Sequence, residues 1–409
     1  MALPALNHGS QRNENRFIKT ICRVLPLLPV ALGLGLSFAK AEVAERTIDE
    51  IKTEAVARAQ RGAYPMLGLD PADVGEAFKL INTRDRDEWA KGFSTIAEGY
   101  LRKAETAANP KDASANYVKA WRLFYFAQWP TPNSDGKKLA YSKALGAYLK
   151  HAATLDPPME RVVIPFEGKQ IVGYLRLPKT SSGPVPVVLA ISGLDSRKET
   201  VAETYNALID KGVGYLAIDS PGTGEAPVKV NVDSEKMFSR AIDYLVSRPE
   251  IDKSRILVHG VSFGAYWATK VAILEKARIL GAVAQSAPVH TFFSEKFTRE
   301  GTLGNREYLF DLAPAFISVV DGVSNVEDLA RVFPKMSLQT QGLLDRPTSP
   351  MLIVAGVKDT QVPMVDQDLL LHTGDVPKDA WINPMGGHLG REAKGWTDPV
   401  IFRQVIMPW

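Results

Sequence analysis

Cysteine is almost absent from this chain: one residue in 409, Cys22, inside an apolar stretch near the N-terminus. A single cysteine rules out internal disulfides, and it leaves no thiolate cluster for metal binding. Charge of one sign is also missing, since 49 basic and 46 acidic side chains give a formal net charge of +3. No run of Lys and Arg interleaves with aromatics, so nucleic acid is not expected as a partner. Histidine is scarce at six residues, and none stands at metal-ligand spacing from other donors. No metal and no cofactor are therefore expected. What is present is ordinary for a large globular protein: 45% hydrophobic and 23% charged residues, enough to bury a sizeable core.

The first forty residues differ from the rest. Arg12, Arg16, Lys19 and Arg23 precede the apolar run VLPLLPVALGLGLSFA, which ends in Ala39-Lys40-Ala41. A basic segment, an apolar segment and a small-x-small site read as a secretory signal peptide over residues 1–41, with cleavage after Ala41. Export to the periplasm or beyond the cell follows, and the mature chain then has no cysteine. The alternative is an uncleaved anchor, although the run is shorter than the ~20 residues a span needs. No later stretch is long and apolar enough to cross a membrane.

Residues 42–158 have helical periodicity. Trp89, Phe93, Ile96 and Tyr100 fall on one helix face, and Tyr117, Trp121, Tyr125 and Trp129 repeat the spacing. Breaks at ANPKDAS and WPTPNSDG separate antiparallel helices, with Asp112 or Ser114 as the expected cap of the next one. The aromatics read as core, although a helical module beside a site can also touch substrate. From Arg161 the period changes. RVVIPF and KQIVGYLRLP form a hairpin around Glu167-Gly168, and VPVVLAIS, VGYLAID, RILVHG, ILGAVAQ, MLIVAG and AWINPM follow as strands between amphipathic helices. This alternation predicts an α/β fold over residues 159–409, a mostly parallel, doubly wound sheet covered on both faces. An aromatic-bearing insertion at about 289–349 stands where a cap would sit over the strand ends.

The stretch RILVHGVSFGAYWATK carries the main chemical signal. The pattern Gly260-x-Ser262-x-Gly264 is weak by itself, but here a buried strand precedes it and a helix follows, the context that lifts a serine oxygen above a sheet edge. A serine hydroxyl attacks only when a base takes its proton, and the base needs a carboxylate to orient it. Of the histidines, His8 lies in the leader, while His151 and His372 lie on helices. His259 precedes the elbow on its strand and points away from Ser262. His388, in the glycine-rich NPMGGHLGRE, can reach across the sheet end. Asp359, three residues past Gly356 in MLIVAGVKDTQVP, is the expected carboxylate, with Asp366 and Asp368 as alternatives that read as the polar face of the next helix. The chain order Ser262, Asp359, His388 fits a nucleophile elbow on such a sheet. Oxyanion donors are expected from the backbone amides of Phe263 and Leu194, the latter in the loop after VVLAIS. Asp195 on that loop and His290 at the start of the insertion are the expected substrate contacts. Their plainer readings are local hydrogen bonding for Asp195, as for Ser196, and packing for His290. DSPGTGEAP lacks the Lys-Ser/Thr of a phosphate loop and reads as a structural turn.

Taken together, FAQWPTPNSDGKKLAYSKALGAYLKHAATLDPPMERVVIPFEGKQIVGYL, SGLDSRKE, DSPGTGEAP, GVSFGAYWA, GVKDTQVP and GGH resemble the α/β-hydrolase superfamily. More narrowly they are similar to the group of fermentation-respiration switch esterases, dihydroxypseudooxynicotine hydrolase and fungal polyketide-shortening hydrolases. The resemblance implies a helical domain packed on a hydrolase domain, a small-molecule acyl substrate between them, and dimerisation. It also implies two activities, ester hydrolysis and cleavage of a carbon-carbon bond beside a ketone. The export signal departs from the cytoplasmic members and favours an ester. A binding protein that keeps the fold without turnover is the third reading, and three complete candidate residues argue against it.

Overall fold

The computed structural model describes residues 45–409 apart from 180–182, 304, 306, 311 and 376, and the leader read over 1–41 lies outside them. Five helices come first: α1 (Ile48–Arg61), α2 (Pro71–Lys79), α3 (Arg86–Glu105), α4 (Pro110–Gln128) and α5 (Asp135–Ala152). Each begins where a side-chain oxygen can accept a free amide of the first turn. Thr47 does so for α1, in a capping box with Glu50, and Asp70, Asp85 and Ser134 do so for α2, α3 and α5. The start of α4 corrects the sequence expectation, since Asn109 is the cap and accepts from the amide of Asp112. Pro110 explains the shift, because proline suits the first helical position and fixes the cap one residue earlier. Ser114 instead lies 2.8 Å from His151 Nδ1 and ties α4 to α5.

The aromatic faces pack inward. Trp89, Phe93, Trp121 and Trp129 are buried, and Trp89 Nε1 donates to the Phe126 carbonyl at 3.1 Å, so its one polar atom is satisfied inside the core. The ring row continues from Phe126 to Trp129, then to Tyr308 and Phe310 of the later insertion, with Trp129 4.8 and 5.9 Å from their centroids. The helices and the insertion thus share one aromatic seam.

The sheet has eight strands: β1 (Glu160–Phe166), β2 (Lys169–Arg176), β3 (Val185–Ile191), β4 (Gly214–Ile218), β5 (Ile251–Val261), β6 (Gly281–Gln285), β7 (Met351–Gly356) and β8 (Asp379–Asn383). Their order is β1-β2-β4-β3-β5-β6-β7-β8. β1 and β2 form the hairpin, turning at Glu167 and Gly168, both with positive φ, and β2 runs antiparallel to β4. All further pairings are parallel. β4, β6 and β7 are buried along their whole length, as strands covered on both faces must be. β5 is longer than its sequence signal. Residues 252–255 leave the ladder at an irregularity beside β3 and are more exposed, so the apolar pattern starts only at Ile256.

The covering helices are α6 (Lys198–Ile209), α7 (Lys236–Ser247), α8 (Phe263–Leu274), α12 (Met364–His372) and α13 (Asp398–Ile401); α9 (Glu295–Glu300), α10 (Leu312–Val319) and α11 (Val326–Val332) lie in the insertion between β6 and β7. Chain order reverses at β3, with β4 on one side and β5 on the other. A crevice opens beyond the strand ends at such a reversal, and the loops after β3 and β5 both reach it.

Candidate active site

Ser262 joins β5 to α8 with φ 54° and ψ −123°, a conformation that costs a non-glycine residue about 1–3 kcal/mol. The surroundings hold it there. Its amide donates to the Gln285 carbonyl at 2.8 Å, and its carbonyl accepts from the Ala265 amide at 2.8 Å. A Cβ on Gly260 would collide with the Gly264 carbonyl, and one on Gly264 with the Ser192 carbonyl, which is why both flanking positions are glycine.

Asp359 and His388 arrive from the loops after β7 and β8. Asp359 Oδ1 accepts from the amides of Gln361 and Val362 at 2.8 and 2.9 Å, and Oδ2 lies 2.9 Å from His388 Nδ1. His388 Nε2 lies 2.8 Å from Ser262 Oγ. With the imidazole proton on Nδ1, His388 donates to the carboxylate and accepts from the serine hydroxyl, the connectivity that proton removal from serine requires. Both side chains are about 4% exposed. Burial is the largest influence on each and disfavours charge, yet their mutual attraction and hydrogen bond outweigh it: Asp359 lies below the ordinary carboxylate value and His388 above the ordinary imidazole value.

The end of β6 carries residues that the sequence reading missed. Gln285, whose carbonyl holds Ser262, also donates from Nε2 to the Leu389 carbonyl at 2.9 Å. Ser286 Oγ accepts from the Leu389 amide at 3.0 Å, and Asn383 Nδ2 donates to the Gly390 carbonyl at 2.9 Å. One strand end thus spaces the serine and the histidine. No local pattern marks Gln285 and Ser286, because their partner Leu389 lies 104 and 103 positions away in the chain, whereas Asn383 holds the same loop from the end of β8.

Leu194 and Phe263 both line a small cavity at Ser262, and among the described residues neither amide has a protein acceptor. Phe263 opens α8, so its amide is free by helix geometry. The Leu194 loop is built as the plain reading supposed for Ser196, whose Oγ accepts from the Gly193 amide at 2.6 Å. Asp195 departs from that reading. Its Oδ2 accepts from the Tyr64 hydroxyl at 2.5 Å and from Trp129 Nε1 at 2.9 Å, and its carbonyl accepts from the Tyr125 hydroxyl. Burial, and then the Asp195 charge, raise the Tyr64 and Tyr125 hydroxyls far above the ordinary phenol value, so both stay protonated donors. The carboxylate borders the site but is bound by the helical region. Beyond it, Arg197 donates to the Leu194 and Pro130 carbonyls, each at 3.0 Å. Lys198 is fully buried with Glu199, Asp219 and Glu225 at 2.9, 3.0 and 2.8 Å from its Nζ. Asp219 also accepts the amides of Lys198 and Glu225, so DSPGTGEAP serves as a structural turn.

Two expectations are corrected. His290 does not reach the site: its Nδ1 lies 2.8 Å from Ser337 Oγ, and it lines neither cavity at Ser262. Asp366 is not the polar face of α12 but is buried. It accepts the amides of Val289, His290, Thr291 and Phe292 at 2.7 to 3.3 Å, which fixes the start of the insertion and turns His290 away. His259 makes no hydrogen bond to Ser262. It contacts the Tyr205 hydroxyl through Nδ1, and burial lowers its pKa to about 4, so it stays neutral. Among the described residues no group of His, Cys, Asp and Glu is placed to hold a metal.

A second, larger cavity of about 500 Å³ meets Ser262 from the His388 side and is walled by the helical region and the sheet edge together. The cavity at Leu194 and Phe263 has about 20 Å³ of free space.

A family model described as esterase FrsA-like matches residues 79–379. Esterase FrsA of Shigella flexneri is 28% identical over 288 residues, covering 69% of this chain and 68% of the relative. That of Serratia proteamaculans (strain 568) is 25% identical over 363 residues, covering 81% and 85%. Among solved structures, 2,6-dihydroxy-pseudo-oxynicotine hydrolase superposes with a TM-score of 0.66 at 23% identity, over 81% of this chain and 89% of that one. AbyA5 does so with 0.63 at 20% identity, over 78% and 88%. At such identities these two likenesses speak for the fold alone, which is that of α/β hydrolases. Family match and fold agree, and the chain belongs to the esterase FrsA-like family of α/β-hydrolase enzymes.

Proposed function

We propose that the chain hydrolyses carboxylic esters through an acyl-enzyme on Ser262. The observation that carries this reading is the unbroken line from Ser262 Oγ through His388 to Asp359, at 2.8 and 2.9 Å, on a serine held in a strained turn. His388 Nε2 takes the hydroxyl proton as Ser262 Oγ bonds to the ester carbonyl carbon. The carbonyl oxygen becomes an oxyanion, stabilised by the Leu194 and Phe263 amides. Each such donor is worth about 3 kcal/mol in comparable sites. Asp359 keeps the imidazolium oriented and compensates its charge. The imidazolium then gives its proton to the departing alcohol oxygen, and the carbon-oxygen bond breaks. A water molecule, deprotonated by the same nitrogen, attacks the acyl-enzyme, and the acid leaves as Ser262 regains its proton.

The test is hydrolysis of an aryl ester and of a β-diketone by purified protein, with the acid products identified by mass spectrometry. Ester turnover that disappears in Ser262→Ala supports the reading. Turnover of the diketone alone moves the chemistry to carbon-carbon cleavage, and ester turnover that persists in Ser262→Ala removes the mechanism. The basic and apolar sequence of residues 12–41 supports a further proposal, export with cleavage after Ala41. N-terminal sequencing of protein from fractionated cells checks it: a chain beginning at Glu42 outside the cytoplasm agrees, and a chain beginning at Met1 in the cytoplasm does not.

A further inference from the structure

Two cavities open on Ser262, and the chemistry of ester cleavage assigns each a part of the substrate. The alcohol part must collect a proton from His388 Nε2 as it leaves, whereas the acyl part stays on the serine with its oxygen at the donor amides. His388 lines the larger cavity and not the smaller, while Leu194 and Phe263 together line the smaller. The alcohol therefore occupies the larger cavity, and the acyl chain runs into the smaller one.

Their sizes are far apart, about 500 Å³ against about 20 Å³. A cavity needs about 10–15 Å³ on this scale to admit one water molecule, so the acyl side has room for a group of methyl size. Its walls do not yield readily. Phe292, Tyr308, Leu312 and Phe316 are each 2–3% exposed, and Phe316 is braced by rings on several sides, with Phe263, Phe292 and Phe333 centroids at 5.3, 5.6 and 5.1 Å. Pushing further methylenes into such packing forces side chains off their rotamers. The alcohol side is roomy and presents flat faces, among them Trp121, Tyr125 and Tyr64, with the Arg391 guanidinium 4.0 Å over the Tyr64 ring.

We propose that the enzyme is selective for very short acyl groups, acetyl above all, carried on a bulky, aromatic alcohol. This rests on Ser262 being the nucleophile. The test measures kcat/KM for the acetate, butyrate and octanoate esters of 4-methylumbelliferone, with a fluorophosphonate used to count reactive Ser262 in the same preparation. The acetate is expected to exceed the butyrate on the order of 10- to 100-fold, with the octanoate slower still. Leu312→Ala widens the acyl side and is expected to close that gap about tenfold; Leu312→Val is the milder change, with a smaller shift in the same direction, should the alanine variant not fold. Full labelling of Ser262 with butyrate or octanoate turned over as fast as acetate would overturn the acyl inference and leave the nucleophile in place. No labelling of Ser262 in folded protein would overturn both.

Discussion

The reacting edge of the sheet and the loop that faces it are assembled in opposite ways. Ser262 is bent into place by Gly260 and Gly264, and Asp359 is oriented by its own turn through the amides of Gln361 and Val362. The Leu194-Asp195 loop is gripped from far off, by Tyr64, Tyr125 and Trp129, which lie 131, 70 and 66 positions away. The first region specifies the chemistry within short motifs. The second is fixed by the helical region, so that residues far away in the chain shape a loop that borders Ser262. The His388 loop lies between these cases, with a local glycine-rich turn pinned by Gln285 and Ser286.

Breaking the reacting edge has the largest expected effect. Asp359→Asn preserves shape but removes the charge and favours the wrong imidazole tautomer, so kcat/KM should fall about 10⁴-fold. The pH profile should move with it. On the proposed mechanism His388 works only when neutral, and its pKa is raised, so activity should rise with pH through a midpoint above 6.5 and be lost as pH falls below it. Without the Asp359 charge, burial and Arg391 push the imidazole down against Glu307, with burial the largest influence, and any residual activity should persist to lower pH. A midpoint unchanged in Asp359→Asn would contradict the pairing.

On the other side of the comparison, Lys198→Met leaves Glu199, Asp219 and Glu225 without their common cation. Removing one partner of a buried ion cluster costs about 3–5 kcal/mol, read as a lower denaturant midpoint. A variant as stable as the wild type would show that the cluster does not hold the start of α6. Asp195→Ala leaves the Tyr64 hydroxyl and Trp129 Nε1 unpaired and loosens the Leu194 loop, which Tyr125 and Arg197 still hold through its carbonyls. Because a whole oxyanion donor is worth about 10²–10³ in kcat, a loosened one should cost about tenfold in kcat with little change in KM. Asp195→Asn, which keeps an acceptor, should recover part of that loss. Equal losses in both variants, or a change confined to KM, would point instead to direct substrate binding. His290→Ala should leave kcat/KM little changed, since its imidazole bonds Ser337 and lines neither cavity at Ser262; a large loss in folded protein would return His290 to the site.

The same contrast separates what could be read in the sequence from what could not. The eight strands and α6, α7, α8 and α12 follow from apolar period and turn residues, whereas the four-residue α13 is too short to show a period, and Glu167-Gly168 marked the hairpin. Ser262, Asp359 and His388 stood out because strained turns need glycine and because few histidines competed. Asp366 and His290 were misread because α12 offers no periodic sign that one of its carboxylates folds back to hold four amides of another loop. Gln285 and Ser286 were invisible for the same reason, being ordinary polar residues at a strand end. Asp195 stood in the right loop, but its partners are set by how the helices dock, and no local spacing encodes that.

If His388 and Asp359 activate Ser262, this one serine should react with an electrophile far faster than an ordinary hydroxyl. The most direct measurement is labelling of the purified protein with a fluorophosphonate, wild type beside Ser262→Ala and Asp359→Asn, with the modified peptide identified by mass spectrometry. Rapid modification of the peptide containing Ser262, absent in Ser262→Ala and greatly slowed in Asp359→Asn, is the predicted result. Modification of another residue, or equal labelling rates in wild type and Asp359→Asn, would contradict it.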